Sequence, residues 1–327
     1  MLLVVVEHDR GALAPAAEEA LTVGRSLATQ IGVALHALTI GAAADTLVDA
    51  VGAFGVDTVH QAHHEILSDY GPEAWGETVA QAVRALGPSV VLATGTDRGS
   101  EVLAQAAARL DLPFVANCVS FEPGDGPASG WQLVRARWGG SLLERCSLVA
   151  DVKLLTVAHH SAEAVPAAVA GTAAVRTFTP ELDAVLARTV VRERVERAAG
   201  ITLATAAVVV GGGRGVGSPE GFAPLEELAG LLGGVVGCSR AVTNNGWRPH
   251  TDQVGQTGTR IAPDLYFACG ISGAIQHWVG AMASKKILAI NTDPEANMVT
   301  KADYAVIGDL HQVVPAISAE IRRRRST

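Results

Sequence analysis

The sequence predicts an α/β protein of two domains, each a mainly parallel sheet flanked by helices, with the C-terminal domain Rossmann-like. Three observations predict it. Short apolar runs alternate with helical patterns from residue 2 to about residue 110. The same rhythm restarts near residue 206. The chain has 327 residues, which by length suits about two domains with separate cores. The domains are expected at 1–195 and 196–327, joined by a charged connector around Thr179–Gly200.

In the first domain, Leu2–Val6 is a strand candidate and Pro15–Gln30 has helical spacing with a proline near its start. Val33–Thr39 is rich in β-formers, Pro72–Leu86 is helical, and Ser89–Ala93 has the continuous apolar character of a buried strand. Thr94–Gly99 is then a polar glycine loop before a helix at Glu101–Arg109. After a Gly/Pro-rich loop between Pro123 and Gly130, three segments read as strands with short connections: Trp131–Arg137, Ser141–Val149 and Lys153–Thr156. They are expected to form an antiparallel patch that joins or extends the first sheet.

In the second domain, Ala206–Val210 is a strand followed by the glycine run Gly211–Gly217. Pro224–Leu232 is a helix, Gly234–Cys238 a short strand, and Thr243–Pro263 a long loop. The rest reads as strands at Leu265–Cys269, Lys286–Ile290 and Tyr304–Ile307, with helices at Gly273–Met282 and Leu310–Ile321. The polar or glycine-rich loops follow Val210, Cys238, Cys269 and Ile290. Such loops, at the carboxyl ends of parallel strands, are where open α/β sheets bind ligands.

Composition narrows the function. The net charge of -8 argues against a nucleic-acid binder, which needs a basic face for phosphates. The arginine run 322–325 is expected to be a solvated tail. No apolar run is long enough for a transmembrane helix, so no membrane insertion is expected. Met1–Val6 lacks a basic n-region and reads as a strand rather than a signal peptide, which suits a cytoplasmic protein. Cys118, Cys146, Cys238 and Cys269 are far apart and are expected to be reduced, buried thiols.

Several catalytic patterns are missing. The glycine run fits neither G-x-G-x-x-G nor the P-loop, and there is no G-x-S-x-G. His60, His63, His64 and Glu65 lack H-E-x-x-H spacing and read as a solvated patch, while His159-His160 has no third ligand nearby in sequence. No metal site and no catalytic residue is expected. Three features remain. Arg214 lies in the glycine run, where it could pair with a phosphate or be only an exposed turn residue. Ser272 is a good N-cap for a helix carrying His277, whose amino end would suit an anion, although a capped helix with a core histidine looks the same. Asp252–Gly258 is a polar loop that could bind a heterocycle or simply lie at the surface.

Longer strings carry a resemblance. Ser239-Arg240, Val254–Thr257, Leu265–His277, Asn291–Glu295, Ala302–Tyr304 and Asp309-Leu310 resemble the electron transfer flavoprotein alpha subunit family. The similarity covers almost all of Ala206–Ile321. Val6–His8 and Ala93–Gly99 extend it more loosely into the first domain. The stretch Val242–Trp247 departs from the acidic version commoner in that family.

The resemblance implies one FAD in the C-terminal domain, which would then be the FAD-binding domain. It also implies a heterodimer with a smaller beta subunit carrying AMP, contacted by the N-terminal, nucleotide-binding-like domain. It places FAD contacts at Arg214, Ser239, Arg240, Val254, Gly255, Gln256, Thr257, Ser272, Gly273, Ala274, Ile275, Gln276, His277, Asn291, Asp309 and Leu310. It assigns His277 to the N1–C2 edge of the flavin, Arg240 to its positive field and Thr257 to N5; Asn291 and Asp309 suit the adenosine half. Such a protein is an electron carrier rather than an enzyme. It takes electrons from flavin dehydrogenases, such as the acyl-CoA dehydrogenases of fatty acid oxidation, and passes them to a membrane quinone oxidoreductase. An NADH-fed, bifurcating member of the family and a non-redox adenine-nucleotide-binding protein are the alternatives.

Overall fold

The computed structural model describes residues 1–125, 129–168, 172–193 and 201–326. Part of the Gly/Pro-rich loop and the expected boundary at 195/196 lie outside the described residues. Met1–Trp138 and Leu142–Val195 group into one compact unit, and Gly139–Ser141 and Glu196–Thr327 into another.

The first unit is built on a nine-stranded sheet. Its strands are β1 (Leu2–Val5), β4 (Leu35–Ile40), β5 (Thr58–Ala62), β6 (Val90–Thr94), β7 (Phe114–Glu122), β8 (Trp131–Arg137), β9 (Leu142–Leu148), β10 (Lys153–Val157) and β11 (Ala174–Phe178). The order is β11-β5-β4-β1-β6-β10-β7-β8-β9. Every pair from β11 to β7 is parallel, and only β7–β8 and β8–β9 are antiparallel. A two-stranded hairpin, β2 (His8–Asp9) and β3 (Ala12–Leu13), follows β1.

Alternation along the buried strands feeds two cores. Leu2 and Val4 pack into one core with Leu21 and Leu27 of α1 (Pro15–Ile31), close to α2 (Val48–Gly52). Leu3 and Val5 pack into the other with Val79 and Val83 of α3 (Pro72–Leu86) and Leu103 of α4 (Asp97–Leu110). Helices therefore cover both faces, which is why the central strands read as unbroken apolar runs.

The second unit has a five-stranded, fully parallel sheet of order β13-β12-β14-β15-β16. Its strands are β12 (Val208–Gly212), β13 (Val235–Cys238), β14 (Leu265–Cys269), β15 (Ile287–Asn291) and β16 (Tyr304–Ile307). Val210, Phe267 and Ile290 meet α5 (Ala223–Leu232) and α9 (Leu310–Arg325) on one face. Val209, Tyr266 and Ala289 meet Val254 and Ile261 on the other. Three short helices lie at the strand ends: α6 (Arg240–Asn244), α7 (Ile275–Ala281) and α8 (Asn297–Lys301).

The α/β class and the mainly parallel sheets are as the sequence predicts. Four expectations are corrected. Lys153–Thr156 is not part of an antiparallel patch: β10 lies between β6 and β7 and is parallel to both. Its five fully buried residues need helix cover on both faces, which an edge position does not give. The arginine run is not a tail but the last turn of α9. There Arg322 pairs with Glu227 at 2.8 Å, and Arg323 and Arg324 pair with Glu320, cations being favoured at a helix carboxyl end.

The histidine patch is solvated only in part, with Glu65 exposed and His63 and His64 half-buried. His60 is 4% exposed and stacks on His36, with their ring nitrogens 3.0 Å apart. Burial, then the charges of His36 and Arg176, push the His60 pKa down to about 4. His63 bonds Asp45 at 2.8 Å, and His64 caps a short helical turn at Ile66. Finally, His159 and His160 do acquire a third neighbour, Glu19 of α1, from 140 residues away in the chain. Cys118, Cys238 and Cys269 are buried free thiols, and burial raises each to about 12; Cys146 is free but partly exposed.

Candidate functional site

Strand order in the second unit reverses at β12: the chain adds β13 on one side and then β14 on the other. A crevice forms beyond the carboxyl ends of strands at such a switch point. The loops after β12 and β14 cross very closely there. Gly213 N–H donates to Cys269 O at 2.8 Å, and Gly215 N–H to Gly270 O at 3.1 Å. A Cβ on Gly213 would stand 2.1 Å from the Gly270 carbonyl oxygen. The glycine run is thus a loop-crossing device, which is why it need not obey the dinucleotide spacing.

A cavity of about 580 Å³ opens on this edge, within the range of small-molecule sites. It is lined by Arg214, Ser239, Arg240, Ser272, Gly273, Ala274, Gln276, His277, Asn291, Asp309 and Leu310 among the expected residues. Gly215, Ala241, Asn244, Gly270, Ile271, Thr292, Asp293, Ala296 and Gly308 also line it. The sequence reading missed these, although Gly215 and Gly270 stand in segments it had singled out and Asp293 in the Asn291–Glu295 string. Asn244 carried no local signal.

The remaining expected residues, Val254–Thr257 and Ile275, do not line the cavity; the first four are held against β13 and α7. Val254 is buried and its N–H donates to Cys238 O at 2.9 Å. Gly255 packs against α7, where a Cβ on Gly280 would lie 2.3 Å from the Gly255 Cα. Gln256 N–H donates to Gln276 O at 2.8 Å, and Thr257 Oγ1 accepts from Gln253 Nε2 at 2.9 Å. Ile275, at the start of α7, is exposed.

One local expectation fails. Ser272 is not the N-cap of the following helix: Ala274 occupies that position and makes no side-chain cap. Gly273, with φ of 77°, turns the chain tightly against Met298 first, so the helix begins at Ile275. His277 consequently sits in the first turn of α7.

His277 is the most constrained group. It is 6% exposed, and its Nε2 lies 2.8 Å from the hydroxyl of the fully buried Tyr266. Its Nδ1 is buried without a well-formed hydrogen bond, although the Val254 backbone stands close enough to pull on the ring. Burial pushes the His277 pKa down to about 4, against a weaker pull from the Val254 backbone, so the ring is neutral at neutral pH. Tyr266 is a positioning residue that the sequence showed only as part of a strand. It fits beneath Gly211, where a Cβ would stand 2.3 Å from its hydroxyl oxygen.

Charge around the crevice is asymmetric. Arg214 and Arg240 are exposed to it, and neither is paired with a carboxylate among the described residues. On the far side, Asn291 Nδ2 donates to Ile271 O at 3.1 Å, and its Oδ1 accepts from Asp293 N at 3.2 Å. Asp309 caps α9 by accepting from His311 N at 2.9 Å. Guanidinium groups at one end and an amide with acidic groups at the other suit an elongated ligand carrying phosphates and hydroxyls.

Known proteins match this sequence along its length. A family model described as "Electron transfer flavoprotein domain" matches residues 2–183, and "Electron transfer flavoprotein FAD-binding domain" matches 202–282. The chain belongs to the electron transfer flavoprotein alpha subunit family. It is 34% identical to the electron transfer flavoprotein subunit alpha of Thermoanaerobacterium thermosaccharolyticum, over 98% of this chain and 97% of that one. It is 33% identical to the Bacillus subtilis subunit alpha over 98% and 97%, and 36% identical to that of Mycobacterium tuberculosis over 99% of both.

For an electron transfer flavoprotein alpha subunit, FAD is the ligand to test against the crevice. The residues present fit it: the cavity takes a small molecule, two exposed guanidinium groups are available for phosphates, and His277 lines the same cavity. The FAD-binding match stops at 282, but Asn291, Asp309 and Leu310 line the same cavity.

Proposed function

We propose that this alpha subunit holds one FAD in the crevice between β12 and β14 and works as a cytoplasmic electron carrier. In this reading it pairs with a beta subunit carrying AMP, accepts electrons from flavin dehydrogenases such as acyl-CoA dehydrogenases, and delivers them to a membrane quinone oxidoreductase. The carrying observation is the cavity at the carboxyl ends of β12 and β14, in which Arg214 and Arg240 stand exposed beside His277. No helix among the described residues is long and apolar enough to cross a membrane.

When bound, FAD supplies the redox-active ring; the chain supplies binding and field. Arg214 and Arg240 would supply positive charge for the anionic phosphates, or for the ring as it gains negative charge on reduction. Tyr266 holds His277 in one orientation at the wall of the cavity. The segment Val254–Thr257 is held by backbone bonds to Cys238 and α7. Asn291 and Asp309 line the end suited to ribose hydroxyls.

The test is the absorption spectrum and released cofactor of the chain co-expressed with its partner. A yellow complex releasing one FAD per chain is expected; a colourless complex overturns the reading. Reduction of that flavin by NADH, in place of reduction by an acyl-CoA dehydrogenase, would move the assignment to the NADH-fed branch.

A further inference from the structure

A second constellation stands in the first unit, apart from anything a flavin carrier needs. Glu19 lies on α1, and His159 and His160 follow β10. The carboxylate Oε1 is 3.4 Å from His159 Nδ1 and 3.5 Å from His160 Nδ1. These separations are long for hydrogen bonds. They match the edge of a tetrahedral coordination shell: two ligands at zinc bond lengths of 2.0–2.1 Å stand about 3.4 Å apart. The other carboxylate oxygen, Oε2, accepts the backbone N–H of His160 at 2.8 Å, which fixes the orientation of the group.

Successive residues rarely point their rings the same way. Here they do, because His160 has φ of 61° and the two rings stack with centroids 3.5 Å apart. A left-handed non-glycine residue costs on the order of 1 kcal/mol, so an arrangement that keeps it calls for a compensating interaction. His159 Nδ1 and His160 Nε2 are both buried and have no hydrogen-bond partner, although Glu19 itself is only about 10% exposed. Two imidazoles and a carboxylate, with ligand atoms all within 4.8 Å, form a donor set of the zinc class and not of the all-oxygen calcium or magnesium class.

We propose that Glu19, His159 and His160 form a zinc site that ties α1 to the turn after β10, with a water in the fourth position. The metal draws the three side chains together and satisfies the orphaned His159 Nδ1. The metal fastens two elements that are far apart in sequence, and the site stands in the first unit, outside the residues of the flavin crevice.

The test uses the full chain in its expressed complex, stripped with chelator and titrated with zinc ion alone. One equivalent is expected to bind, with a rise in thermal midpoint, since a ligand that binds only the folded state stabilises it. Cobalt in place of zinc should give the strong visible absorption of four-coordinate cobalt. Glu19→Gln should weaken zinc binding at least tenfold and abolish the midpoint rise while leaving the flavin spectrum unchanged. His159→Asn is the second variant, placed in a surface turn in case Glu19→Gln fails to fold. Absence of a stoichiometric zinc equivalent overturns the proposal. So does zinc binding, or a midpoint rise, that is the same in the variants as in the parent chain.

Discussion

Both sheets reverse strand order at their first strand, yet the two sets of strand ends carry different side chains. In the first unit the chain lays β4 and β5 on one side of β1 and then places β6 on the other. In the second it lays β13 on one side of β12 and β14 on the other. At the first switch point Glu7 accepts the hydroxyls of Thr94 and Thr96, and Thr96 also caps α4 at Gly99 N. At the second, glycines pass where side chains would stand, and two guanidinium groups face open space beside a neutral histidine. Topology makes a crevice available; the side chains at the strand ends decide whether a ligand can enter it. A carboxylate at a site of phosphate shape repels the ligand that a guanidinium attracts.

The comparison breaks most violently at the loop crossing. Gly213→Ala puts a Cβ 2.1 Å from a backbone oxygen, so the two loops must part. We expect a loss of about 3 kcal/mol or more and a flavin content near zero, read by melting and by cofactor release. Full flavin occupancy in that variant would show that the close crossing does not shape the site.

The pH dependence sharpens the contrast next. The His277 pKa is about 4 when folded, below its ordinary 6.5. Between those values the unfolded chain binds a proton that the folded chain refuses. Stability from this group is therefore full above about pH 6.5 and is lost as pH falls toward 4, by on the order of 3 kcal/mol. His60 in the first unit moves the same way. Melting of flavin-free protein across that range should show the slope, and His277→Gln should flatten the share belonging to the second unit. An unchanged slope would mean that His277 is not the buried neutral group described here.

A smaller effect is expected from charge. Arg240→Ala should retain flavin but lower its reduction potential, by the equivalent of about 1–2 kcal/mol for a lost charge-assisted contact, with Arg240→Lys recovering part of it. Arg98, which pairs with Asp9 in the first unit, serves as control: Arg98→Ala should leave the potential unmoved. A spectroelectrochemical titration in which both variants match the parent would remove Arg240 from the site. The least effect belongs to Thr96→Ala, which removes the α4 cap for about 1 kcal/mol and should leave the flavin spectrum unaltered.

Much of this molecule was legible locally. Pro72–Leu86, Trp131–Arg137, Leu265–Cys269 and Tyr304–Ile307 have their predicted bounds, because apolar period and proline or glycine punctuation act over a few residues. The crevice residues Arg214, Arg240, His277, Asn291 and Asp309 were named from motif strings, and the fold places them on one sheet edge. Less legible were features set by distant partners. Asn244 and Ala241 reach the cavity because α6 follows directly on β13, at the strand end where the cavity opens. Ser272 carried a good cap signal, but the packing of Gly273 against Met298 moved the helix start.

By itself the sequence determined the α/β class, the two parallel sheets and the family strings, all of which rest on short-range patterns of burial and turn chemistry. Only the tertiary structure decided which strands are neighbours, and so which side chains share a site. It put β10 inside the sheet, set Tyr266 under His277, and brought Glu19 to His159 and His160. Those pairings join residues far apart in the chain. They are fixed by the packing of whole helices and strands, which no local window of sequence encodes.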